Sequence, residues 1–109
     1  MAEEAAARAA SLDRDGAYPA EDVAALGRSG LLHAPLPPAL GGCALGTAPG
    51  TAPALIGVLR RLGGGSLPLA RLYEGHVNAA KLCALHGAPH HLEALAAEAE
   101  AGRRRTRRF

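Results

Sequence analysis

Ser66-Leu-Pro-Leu-Ala-Arg-Leu-Tyr-Glu-Gly-His-Val-Asn-Ala-Ala-Lys-Leu-Cys-Ala-Leu-His-Gly87 is the stretch whose reading decides the fold. Ser66 is a good N-cap, Pro68 is tolerated in a first helical turn, and Gly87 is placed to stop a helix ending near His86. Arg71, Glu74, Asn78 and Lys81 recur at helical spacing and line one face. Leu69, Leu72, Tyr73, Ala80 and Cys83 line the other, with His76 inside that apolar face. A helix of this length with one apolar side needs other helices to cover it.

The neighbouring segments supply them. Pro53 starts a helix through Leu62, with Leu55, Ile56, Val58, Leu59 and Leu62 as its apolar face and Gly63-Gly64-Gly65 closing it. Upstream, Ala34 to Pro53 carries five prolines and four glycines. That rules out a continuous helix and reads as a long connector. Pro19 opens an earlier helix with Glu21 and Asp22 in its first turn, Val23 and Leu26 in its buried stripe, Leu31 just beyond and Gly30 as its stop. Residues 2–12 are strong helix formers with acid at the start, ended by Asp13-Arg14-Asp15-Gly16. Downstream, Pro89 begins a fifth helix anchored by Leu92 and Leu95. The expected fold is all-α, a small up-and-down bundle of about five helices.

Composition agrees. The 109 residues and 11.0 kDa allow one domain and one modest core. Of the hydrophobic residues, 26 are alanine and 17 leucine, against three valines and one isoleucine, which excludes an all-β domain. The formal charge of +2 hides a break: five arginines fall within Arg103 to Arg108, and without them the balance is 7 − 10 = −3. Residues 1–102 therefore read as an acidic helical domain, and residues 103–109 as a separate Arg-rich tail. Cys43 and Cys83 make no disulfide scaffold. The acidic N-terminus is not a secretory leader and no apolar run is long enough for a bilayer, so a cytoplasmic setting is the expectation.

The order of these features resembles the N-terminal helical domain of the acyl-CoA dehydrogenases. The likeness rests on Tyr18 to Leu26 opening a helix, then Ser29 to Leu32, a Pro-rich loop with Gly41-Gly42, Leu55 to Gly63, and a long helix ending Leu85-His86-Gly87. The run Ala70-Arg71-Leu72-Tyr73-Glu74-Gly75-His76-Val77-Asn78-Ala79 resembles a bacterial branch of that family. The resemblance implies FAD-dependent α,β-oxidation of an acyl-CoA, with electrons passing to an electron-transferring flavoprotein. It also implies a homo-oligomer for the full-length enzyme. In the family a glutamate takes the α proton and the flavin accepts hydride from the β carbon. That base and most FAD contacts lie in a middle β domain and a C-terminal bundle that would follow this segment. The expectation is a chain that does not catalyse or retain FAD alone, with residues 103–109 an out-of-frame or disordered end. A stand-alone helical interaction domain is the alternative.

By the same resemblance, the long helix helps to wall an acyl pocket, which makes Tyr73, His76 and Val77 the candidate substrate contacts. The competing reading is that Tyr73 and His76 fill the core, each satisfied by a backbone partner. No carboxylate lies at i±3 or i±4 of His76, so no catalytic residue is assigned. Cys83, His86, His90 and His91 are close in sequence, but Gly87 and Pro89 break the helix that would align them and no metal site is expected. Gly63-Gly64-Gly65-Ser66 lacks the lysine of a phosphate-binding loop and reads as a helix stop and cap. The arginine tail has no interleaved aromatics, so neither nucleic acid nor membrane is an expected partner.

Overall fold

The computed structural model describes residues 2–15 and 20–106. Five α-helices form: α1 (Ala2–Asp15), α2 (Ala20–Ser29), α3 (Ala52–Gly65), α4 (Leu67–His86) and α5 (Pro89–Thr106). Among the described residues there is no strand, and no helix is long and apolar enough to cross a membrane. Helix α1 packs on α3, α3 on α4, α4 on α5, and α5 on α2. The core where they meet contains Ala5, Leu26, Leu62, Leu69, Ala70, Tyr73 and Val77.

Each boundary has a local cause. Helix α1 continues to Asp15, a few residues past the expected stop; the turn expected at Gly16 and the helix start at Pro19 lie outside the described residues. Helix α2 ends at Gly30, whose φ of 85° is the left-handed conformation glycine adopts without a Cβ penalty. Two returning hydrogen bonds, Gly30 N to Gly27 O at 3.3 Å and Leu31 N to Leu26 O at 3.1 Å, complete a Schellman stop. At α4, the Ser66 hydroxyl accepts from Leu69 N. At α5, Ala88 N donates to His91 Nδ1 at 3.0 Å, so a side chain from the first turn caps the helix start.

The structure departs from the pattern reading at three places. The Gly63-Gly64-Gly65 run does not close α3 but forms its last turn, and Ser66 N still donates to Leu62 O at 2.7 Å. The last of these glycines is demanded by space. A Cβ on Gly65 would lie 2.2 Å from the Ala2 carbonyl oxygen, so the start of α1 seats directly on the α3 backbone. Ile56 is 54% exposed and Leu72 41% exposed, although both were expected on apolar faces. Leu55, Val58, Leu59 and Leu62 follow the i, i+3, i+4, i+7 stripe, whereas Ile56 stands about 100° around the helix from Leu55. Leu72 likewise lies one residue off the Leu69, Tyr73, Val77, Ala80 stripe that enters the core. Finally, α5 carries helical backbone through Arg103, Arg104, Arg105 and Thr106.

The long connector is an ordered, self-bonded loop. Cys43 N and Leu45 N both return to Ala34 O, at 3.0 and 2.9 Å, and Ala44 N to Leu36 O at 2.8 Å. Pro38–Leu40 forms a single 3-10 turn, while Leu36 and Leu45 are buried. Thr51 closes the loop: its hydroxyl donates to Ala48 O at 2.6 Å and accepts from Gly46 N at 3.0 Å.

One position in this loop is strained, because Ala44 holds φ at 55°. A Cβ in the left-handed region costs roughly 1–2 kcal/mol, part of which glycine would return as unfolded-chain entropy. Ala44→Gly is therefore expected to stabilise the domain by about 0.5–1 kcal/mol. Urea or thermal unfolding checks this; a loss of stability would show that the Ala44 methyl packs to greater effect than its backbone is strained.

Candidate functional site

The three residues singled out on α4 follow its inward stripe and its edge. Tyr73 and Val77, one turn apart, are 1% and 2% exposed, and His76 between them is half-buried. The Tyr73 and His76 rings sit with centroids 6.2 Å apart, tilted by 39°. Both polar tips turn toward the segment just after the α2 stop. Tyr73 Oη donates to Leu31 O at 2.8 Å, and His76 Nε2 lies 2.6 Å from Leu32 O. A carbonyl can only accept, so Nε2 carries the proton of this hydrogen bond.

Two side chains three residues apart on one helix thus hold two successive carbonyls of the chain that follows another. The arrangement satisfies the buried phenol and ties the start of the loop to α4. It leaves His76 as the only one of the three with a substantial part of its ring at the surface. Leu72, one turn before it, is exposed, as are Leu82 and Leu85 farther along α4.

The environment of Tyr73 affects its acidity. Burial, with a smaller contribution from the charge of nearby Cys43, pushes the phenol well above its ordinary value of 10.0. A group whose folded-state value is raised contributes stability that is complete below the unfolded-state value and declines as pH rises beyond it. The domain should accordingly lose stability from about pH 10 upward. Tyr73→Phe should remove that alkaline loss, while costing about 1–2 kcal/mol at neutral pH by leaving the Leu31 carbonyl without its donor. Chemical denaturation at several pH values reads both effects, and an unchanged alkaline slope in the variant would refute the assignment.

Other constellations resolve differently. Among the described residues, no group of three or more His, Cys, Asp or Glu side chains could hold a metal ion. Cys43 and Cys83 are free thiols. His91, grouped with Cys83, His86 and His90 on sequence proximity, caps α5 instead. The Gly63–Gly65 run leads into the Ser66 cap.

Two ionic contacts were not legible in the sequence. The carboxylate of Asp22 is 1% exposed and Oδ1 accepts from Arg8 Nε at 2.8 Å and from Arg8 Nη2. Its neighbour Glu21 lies 3.5 Å from Arg8 Nη1 but remains largely in solvent. The Asp22 hydrogen bonds hold the Arg8 guanidinium above its usual value. His33, buried at the turn after α2, has Nε2 3.4 Å from Glu100 Oε2 on α5. A pattern reading places Glu21 and Asp22 alike in a helix first turn. Only the packed direction of α1 shows which of them turns inward.

The surface carries a groove of about 570 Å³ lined by Ala2, Glu3, Ser29, Leu31, Val58, Arg61 and Leu62, and a smaller one beside Glu4, Ala25, Arg28 and Ser29. Neither is lined by Tyr73, His76 or Val77. The larger offers one guanidinium and one carboxylate beside apolar side chains.

A family model described as the acyl-CoA dehydrogenase N-terminal domain matches residues 1–93. No curated protein and no solved structure matches the chain.

Proposed function

The chain belongs to the acyl-CoA dehydrogenase family, as its N-terminal helical domain, and from that premise we propose that it forms the helical wall of an acyl-binding site in an FAD-dependent oxidation of an acyl-CoA. The observation that carries the reading is the family match across residues 1–93.

The contribution of this chain is positional. Tyr73 and Val77 set the depth of α4 in the core, and the carbonyls of Leu31 and Leu32 orient the Tyr73 and His76 side chains. His76 then offers the exposed side of its ring to an acyl group lying along α4. When bound, the flavin of the family accepts the hydride removed from the β carbon. In the family most contacts to that cofactor lie in the later domains, and no step is assigned to the residues here beyond holding the substrate. In this reading electrons leave to an electron-transferring flavoprotein, and the working enzyme is a homo-oligomer containing the β and C-terminal domains. The 109-residue chain then neither retains FAD nor turns over alone.

The exposed Leu72, Leu82 and Leu85 also favour a second reading, a helical domain that uses α4 to bind another protein and performs no chemistry. The two readings separate in solution. Titrating a saturated acyl-CoA against the isotope-labelled chain should shift the amide resonances of α4 near His76, while free CoA should not. His76→Ala should weaken the response about tenfold or less, as expected for one contact among many. Purified protein should show no flavin absorbance and no acyl-CoA-dependent reduction of an artificial electron acceptor. Turnover by the chain alone would overturn the expected inactivity. A titration with no α4 response would overturn the acyl-wall reading and favour the interaction domain.

A further inference from the structure

Helix α1 is attached to the rest of the domain in an unusual way for a terminal helix. Among its side chains described, residues 2–10, only Ala5 is fully buried, and the rest are small, charged or half-exposed. Its first residue meets α3 through backbone alone, at the Ala2 carbonyl beside Gly65. Its side-chain attachment to α2 is the Arg8 fork on Asp22.

That attachment is asymmetric. Arg8 keeps about a third of its side chain in solvent (32%), whereas Asp22 is almost completely withdrawn from it at 1%. The Asp22 carboxylate uses only one oxygen for Arg8; Oδ2 is buried and has no hydrogen-bond partner among the described residues. An ionised carboxylate in that position is tolerated only while a cation stands beside it. If Arg8 leaves, the cheapest response is to bring water to Asp22, and what stands between Asp22 and water on that side is α1. Glu21 on α2 and Glu4 on α1 are the other acids whose charge acts on Arg8.

We propose that α1 is a charge-locked strap: it is seated while Arg8 neutralises Asp22, and it opens as a unit, with the α2–α5 core intact, when that neutralisation is lost. Opening uncovers the floor of the larger groove, where Val58 and Leu62 lie under Ala2 and Glu3. The device stands independently of the acyl-wall reading, since Arg8 and Asp22 take no part in the Tyr73 and His76 hydrogen bonds.

Native-state hydrogen exchange of the full 109-residue chain, read peptide by peptide, tests it. Arg8→Met keeps the stem and removes the charge; α1 amides should then exchange on the order of a hundredfold faster, with α3 and α4 protected as before. An apolar-surface dye should bind the variant and not the parent. Arg8→Met combined with Asp22→Leu removes both charges and should restore most of the protection in α1. Arg8→Lys, which keeps the charge and loses the fork, should fall between parent and Arg8→Met, and it serves if Arg8→Met does not fold. The proposal is overturned if α1 exchanges at the parent rate in these single variants, if all helices accelerate together, or if the double variant leaves α1 as open as Arg8→Met.

Discussion

Two consecutive carbonyls, those of Leu31 and Leu32, fall immediately beyond the Schellman stop of α2, where helical hydrogen bonding has ended and no strand exists to continue it. Helix α4 supplies the donors, Tyr73 Oη and His76 Nε2, from positions three residues apart on one face. Much of the architecture depends on this match. It sets the depth and rotation of α4, because Tyr73 reaches Leu31 only when its ring is fully inside. It also fixes where the chain leaves α2, and therefore where Ala34 lies to receive the returning amides of Cys43 and Leu45. A twenty-residue connector rich in proline and glycine becomes a single ordered loop because its first turn is anchored to a helix.

The same contacts give Tyr73, His76 and Val77 a structural part whatever else they do. Tyr73 and His76 attract attention as an aromatic and an imidazole on an apolar face, and their polar atoms are engaged with backbone. Val77 is core. In the proposed role, the part of α4 still open to a ligand is the exposed side of His76, with Leu72 one turn before it.

Charge works differently from apolar packing here. Glu21 and Asp22 are adjacent acids that serve a helix dipole equally well on paper. In the fold their fates are opposite, one in solvent and one buried against Arg8. Successive residues on a helix point about 100° apart, so whichever acid meets α1 is determined by how α1 lies on α3. Gly65 decides that in turn, since its missing side chain admits the Ala2 carbonyl and brings Arg8 within reach of α2.

The sequence by itself determined the helical class, the number of helices, the caps at Ser66 and Gly30 and the family, because capping chemistry and apolar spacing act within a few residues. It also placed Arg71, Glu74, Asn78 and Lys81 on the outside. Short-range rules misplaced Ile56 and Leu72, each apolar and each one residue off the buried stripe. They also misjudged the glycine run, since glycine permits a helix to end without requiring it. Only the tertiary structure decided the Leu31 and Leu32 clamp, the Arg8–Asp22 pair and the His33–Glu100 contact. The clamp partners are 42 and 44 residues apart in sequence. Nothing local encodes such a meeting; it exists because helices packed by their stripes carry those side chains to one place.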